Sequence, residues 1–203
     1  MRSQIADSLR ASVITGEMHI GTVYSVPTIA EQFGVSITPV REAMLDLAHE
    51  GLVEPVRNKG FRVKELSAEE LDHILQVRLM LEPEAAAQIC GKVSAAGITK
   101  LRGLADDIVK AAKAQDLIAY VNSDRAFHGF LLELTGNSSL VRTVLNLRDQ
   151  SRLLGLRHLA SDGLLAETTH EHHDMIDAIE ANDAVRVRKI VSQHLGHVRS
   201  EWA

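Results

Sequence analysis

Apolar residues along the chain recur at two different periods. Near the start, Ile5, Leu9, Val13 and Ile14 stand at helical spacing, and Gly16 stops the pattern. The segment PTIAEQFGVSITPVREAMLDLAHEGL follows. Pro27 suits a first helical turn, Ile29, Ala30 and Phe33 make a short apolar stripe, and Gly34 breaks it. Ser36 or Thr38 can cap the next helix, Pro39 fits its first turn, and Val40, Met44, Leu45 and Leu47 carry its apolar face up to Gly51. Two helices joined by a short glycine-containing turn are the helix-turn-helix layout. The stretch LVEPVRNKGFRV then reads as strand, Asn-Lys-Gly turn and strand, a β-hairpin. Together these elements predict a winged helix-turn-helix over residues 1–66.

Beyond residue 66 the period is helical almost throughout. Ser67-Ala68-Glu69-Glu70 is a capping box, opening a long helix with Leu71, Ile74, Leu75, Leu81 and Ala85 on one face and Arg78 on the same face. Further helices are predicted at roughly 98–113, 116–135, 138–158, 164–181 and 184–200, with Gly136-Asn137 and Asn182-Asp183 as tight links. Six helices with short connections make an all-α antiparallel bundle over 67–203. The expected fold is mainly α: winged helix-turn-helix, then bundle.

Polar residues on apolar faces carry the chemistry. Val121, Asp124, His128, Leu131 and Leu132 share one face, with Asp124 and His128 at i,i+4. Leu165, His172, Met175, Ile176 and Ile179 share another, and Val187, Ile190, Val191, His194 and Val198 a third. One Asp and three His on three helices thus point to a single core, where unpaired burial is costly. Taken singly, each histidine reads as a satisfied packing residue and the Asp/His pair as a plain hydrogen bond. A divalent transition metal (Zn, Ni, Fe, Co or Mn) accounts for all four at once, and four protein ligands leave two positions open on a six-coordinate ion. His170 and His173 fall off the face of His172 and read as surface residues. His197, one turn after His194, can support a ligand from outside. Arg78 on an inward face calls for an anion: either a buried ion pair with Glu82 or Glu84, or a carboxylate effector held beside the metal. Arg148 is a second, weaker candidate. Arg152 fits a surface position equally well.

Composition narrows the class. Of 203 residues 45% are apolar and 24% charged, as in folded globular chains. Only 3% are aromatic, which disfavours a β-sandwich or barrel. Cys90 stands alone, excluding an internal disulfide or an all-cysteine zinc site. No apolar run approaches the roughly 18 residues of a membrane span, and MRSQIADSLR lacks the apolar stretch of a signal peptide. The expectation is a cytoplasmic protein without a membrane partner. The net charge of -5 is shared between both parts, but Arg57, Lys59, Arg62 and Lys64 concentrate positive charge in the hairpin. These residues can neutralise phosphates while Ser36, Ile37, Thr38 and Arg41, at the start of the second helix of the pair, face base edges. A solvated basic hairpin on a protein-docking domain is the alternative.

VSITPVREAM followed by EGLVEPVRNKGFRV resembles the winged helix-turn-helix of GntR-type bacterial transcription regulators. The second part resembles the all-helical FCD domain of their FadR subfamily. The resemblance implies operator DNA as partner, a homodimer and, for many FCD domains, a metal on an Asp-x-x-x-His pair and two later histidines. Asp124, His128, His172 and His194 stand where that pattern puts them. It implies DNA contacts from Ser36, Ile37, Thr38, Arg41, Arg57, Lys59, Gly60 and Arg62, and a small organic acid effector near Arg78 and Arg148. Release of repression by the effector is the sign it suggests. Two positions depart from the family pattern. Ile37 stands where Arg is usual, exchanging a bidentate guanine reader for an apolar contact such as a thymine methyl. Val26, Pro27 and Thr28 stand where an acidic-Arg-acidic stretch is common. The chain begins directly in its first helix, so the short N-terminal arm of the pattern is expected to lie outside this sequence.

The expected function is a ligand-responsive DNA-binding regulator and not an enzyme. The alternatives are a regulator whose metal is purely structural and, more remotely, a metal-dependent hydrolase. The hydrolase lacks an acid/base partner: Glu171 adjoins His172, but successive helix residues point about 100° apart, and no HExxH, phosphate loop or nucleophile elbow is present.

Overall fold

A computed structural model describes residues 2–153 and 169–200. The first part contains α1 (Arg2–Ile14), β1 (Val23–Tyr24), α2 (Val26–Phe33), α3 (Ile37–His49), β2 (Val53–Val56) and β3 (Gly60–Val63). Local chemistry explains its boundaries. Ser25 caps α2 by accepting from the Thr28 amide, and Gly34, at φ 63°, closes it in the left-handed region. Ser36 occupies the N-cap position of α3 without a capping hydrogen bond from its side chain.

The sheet holds a strand that the sequence pattern did not predict. Its order is β1-β3-β2, with β3 antiparallel to both neighbours. β1 is only two residues long, too short to show a period. The hairpin turn uses Asn58 at φ 60°, and Gly60, at φ 132°, begins β3. A Cβ on Gly60 would lie 2.0 Å from the Tyr24 carbonyl oxygen, so only glycine lets β1 and β3 pair.

The second part contains α4 (Ala68–Gln88), α5 (Ala95–Lys113), α6 (Leu117–Glu133), α7 (Ser138–Ser151), α8 (His170–Glu180) and α9 (Ala184–Ser200). The Ser67/Glu70 capping box is formed. α5 begins three residues earlier than its periodicity indicates, because Ser94 caps it through the Gly97 amide. Expectations for 154–158 and 164–168, Leu165 included, and for the side chain of Val198 lie outside the described residues. Among the described residues no helix is long and apolar enough to cross a membrane.

Two apolar cores result. One gathers Leu9, Val40, Met44, Leu47 and Val63 between α1, α2, α3 and the sheet. The other gathers Leu101, Ile108, Phe127, Ile176 and Leu195 inside the bundle. They interlock. Ile14 of α1 belongs to the bundle core, and Leu153, just past α7, belongs to the first core.

Candidate metal centre and nucleic-acid interface

Helix geometry brings Asp124 and His128 of α6, His172 of α8 and His194 of α9 into one cluster, all buried. One ligand atom from each lies within 4.8 Å of all the others. His128 Nε2 is 3.2 Å from His172 Nε2, and Asp124 Oδ1 is 3.4 Å from His172 Nε2 and 3.6 Å from His128 Nε2. Bonds of about 2.1 Å to one ion would set neighbouring ligand atoms roughly 3.0–3.4 Å apart, so the spacing fits a shared cation.

The outer nitrogens fix which atoms face inward. His172 Nδ1 donates to the Thr169 carbonyl at 3.2 Å, and His194 Nδ1 donates to Glu171 Oε2 at 2.8 Å. Each Nε2 is then left with its lone pair toward the centre of the cluster. His194 Nε2 and Asp124 Oδ1 are buried without a hydrogen-bond partner. Burial pushes His194 down to about 4 despite Glu171, and burial with Arg148 nearby holds His128 well below its ordinary value. Both imidazoles are therefore neutral at pH 7, the form that binds a metal. Burial works against the Asp124 carboxylate, but Arg152 and Arg148 outweigh it and hold Asp124 well below the usual carboxylate range. An anionic oxygen and three imidazole nitrogens, two atoms of the set orphaned, are the donors a divalent transition metal takes.

Glu171 corrects one expectation. Its carboxylate does not turn away from the site: it takes His194 with one oxygen and His197 Nδ1, at 2.7 Å, with the other. Sequence spacing along α8 could not reveal a partner on α9. His197 thus acts on the cluster through Glu171. His170 is exposed, and His173 reaches Asp106 at 3.2 Å, away from the cluster.

Arg78 is fully buried, and the ion-pair alternative is realised. Its Nε donates to Glu82 Oε1 at 2.6 Å and its Nη1 to Ser151 Oγ at 2.7 Å. Glu84 pairs instead with Arg188 on α9. Arg148 Nη1 donates to Glu82 Oε2 at 2.5 Å and Nη2 to Asp124 Oδ2 at 3.3 Å, while Arg148 Nε has no partner. Arg152 is not a surface residue: it is buried, 2.7 Å from Asp124 Oδ2. Three guanidinium groups, of Arg78, Arg148 and Arg152, thus gather around the Glu82 and Asp124 carboxylates beside the cluster.

In the first part of the chain, Ser36, Ile37, Thr38 and Arg41 are exposed along the start of α3. Ile37 is 45% exposed, a large apolar side chain presented to solvent. Arg57 and Lys59 stand exposed at the hairpin tip, and a cleft of about 590 Å³ runs between the tip, Arg41 and Leu45. Arg62 is exposed but tied across the sheet to Glu54 at 3.1 Å. Gly60 holds the turn by its conformation, as the Tyr24 clash requires.

Known proteins share both parts. Residues 1–63 match the model for bacterial regulatory proteins of the gntR family, and residues 73–197 match the FCD domain. The chain is 28% identical over 197 residues to a probable D-xylose utilization operon transcriptional repressor of Paenarthrobacter nicotinovorans, covering 95% of this chain and 84% of the relative. It is 25% identical over 192 residues to the transcriptional regulator McbR of Escherichia coli, covering 94% and 87%. The solved structure of E. coli McbR/YncC superposes with a TM-score of 0.83 at 24% identity, covering 100% and 98%. A putative GntR transcriptional regulator from Rhodococcus sp. RHA1 does so at 0.75 and 20% identity, covering 99% and 96%. These relatives are regulators, and none supports the hydrolase alternative. The exposed start of α3, the basic hairpin tip and the two family matches together make this chain a DNA-binding transcriptional regulator of the gntR family with a C-terminal FCD domain.

Proposed function

We propose that this regulator is a metal-dependent repressor that binds operator DNA as a homodimer and releases it on binding a small carboxylate. Residues 1–66 read DNA through Ser36, Ile37, Thr38 and Arg41, with Arg57, Lys59 and Arg62 on phosphates and Gly60 shaping the wing. Residues 67–203 hold the metal on Asp124, His128, His172 and His194 and supply the dimer contacts. The observation that carries this reading is the pair of orphaned ligand atoms, His194 Nε2 and Asp124 Oδ1, inside a cluster of inward-facing Nε2 atoms. A bound ion would act as a Lewis-acidic anchor for an acid. The unpartnered Arg148 Nε beside it favours an anionic ligand over a neutral one.

One observation favours a purely structural metal instead. Arg78, the first choice for holding an effector, is already engaged by Glu82 and Ser151. Thermal unfolding separates the two readings. With metal content measured, the protein is melted against a panel of small carboxylic acids, with and without chelator. A ligand at about 100 times its Kd adds about 2.7 kcal/mol of native-state stability. A rise in Tm that disappears on chelation supports the sensor, and full metal content with no response supports the structural metal.

A further inference from the structure

The last turn of α7 has two working edges. On the inner edge, Arg148 and Arg152, one turn apart, both reach Asp124 Oδ2, and Ser151 receives Arg78. On the outer edge, Asp149 takes Arg125 of α6 and lies 3.5 Å from Arg10 Nε of α1. Gln150 Nε2 donates to the Glu50 carbonyl at the end of α3, at 2.8 Å, and lies against Gly51. Arg10 also grips the Glu50 carboxylate with two bonds, of 2.9 and 2.7 Å. Leu153 then enters the core of the DNA-reading part. Residues 148–152 therefore touch the metal cluster on one side and, on the other, Arg10 of α1 and Glu50 at the end of α3.

We propose that this turn sets the position of the DNA-reading domain, with Asp149 and Gln150 as positioning residues that transmit the state of the metal cluster. The inference rests on the metal reading given above. Asp124 is the pivot. Its Oδ1 faces the histidines and its Oδ2 holds Arg148 and Arg152. A divalent cation on Oδ1 withdraws negative charge from Oδ2 and adds positive charge facing Arg148 and Arg152. Both effects loosen the inner edge of the turn. Packing is dense on both edges, so the turn moves as a unit. Any movement is felt at Asp149 and Gln150, the contacts that orient α1 and the end of α3. Coupling of this kind is reciprocal: whatever alters the seat of α1 and α3 alters metal affinity by the same factor.

The test is hydrogen exchange on the full-length protein, stripped with chelator and then loaded with Zn2+, with Zn2+ occupancy checked by native mass spectrometry. In the unmodified protein Zn2+ is expected to change exchange at least threefold in α7, in α1 and around 47–52. In Gln150→Ala, and independently in Asp149→Asn, Zn2+ still binds and still alters α7, but the change in α1 and 47–52 is lost. A purely structural role for these side chains would raise exchange with and without Zn2+ and leave the Zn2+-dependent difference intact. That result overturns the proposal, as does Zn2+ binding that leaves 47–52 unchanged in the unmodified protein. Failure of the unmodified protein to hold Zn2+ overturns the metal reading itself, and the transmission with it.

Discussion

Asp124 and Arg152 meet at 2.7 Å inside the bundle, on the carboxylate oxygen that the histidines do not face. The arginine thereby holds the carboxylate ionised and fixes its plane, so that Oδ1 stays aimed at the cluster. Removing the carboxylate leaves Arg148 and Arg152 buried without it. Asp124→Ala is expected to cost about 3–5 kcal/mol, the range for breaking a buried ion pair. Asp124→Asn keeps the shape and one acceptor, costs less, and loses the metal. Urea unfolding and metal titration on both variants check the two effects separately.

Glu171 orients His194 from behind. Glu171→Gln keeps the size of the side chain but weakens the acceptor for His194 Nδ1 and His197. Metal affinity is expected to fall about 10- to 100-fold, as for other hydrogen bonds behind metal ligands. Competition against a chromophoric chelator measures it, and an unchanged Kd would mean the His194 ring needs no such support.

Acid weakens the metal-free protein through its histidines. His194 falls from 6.5 to about 4 on folding, and His128 is also held well below 6.5. The unfolded chain therefore binds more protons than the folded one between these values. Stability is full above about pH 6.5 and declines as pH drops toward 4, by up to about 1.4 kcal/mol per pH unit for each shifted histidine. Urea midpoints of the chelated protein at pH 7.5, 6.5 and 5.5 follow this slope, and His194→Asn flattens it.

Ile37 presents an apolar surface where α3 begins, which suits a thymine methyl. In an operator selected for this protein, replacing the contacted thymidine by deoxyuridine removes one methyl. About 0.8 kcal/mol, roughly fourfold in Kd, is expected. Ile37→Ala abolishes the difference between the two DNAs. Arg41→Ala removes specific binding with the fold intact, whereas Lys59→Ala weakens all sequences alike and lowers the salt dependence by about one ion.

Gly60→Ala forces the wing apart from β1, because the new Cβ meets the Tyr24 carbonyl. A loss of more than about 2 kcal/mol is expected from the clash and the strained backbone. Arg62→Ala, which breaks only an exposed pair with Glu54, changes stability by less than about 1 kcal/mol. Thermal unfolding of the two variants side by side distinguishes them.

Local rules written in the sequence determined much of this protein. Period, caps and breakers located α1 through α9 because each depends on residues within a turn or two: Gly34, Ser67 with Glu70, Asn137 and the Asn-Lys-Gly turn act on their own neighbours. The inward faces of three helices were equally legible, since an i,i+4 stripe shows which side chains share a core, and this brought Asp124, His128, His172 and His194 together. Tertiary structure decided what lies across those faces. Glu171 finds His194 from another helix, Arg78 chooses Glu82 over Glu84, and Arg152 reaches Asp124 instead of water. β1 exists only because Gly60 lets β3 accept it. Such partners are set by how helices and strands stack after they form, and residues far apart in the chain carry no shared period that would announce them.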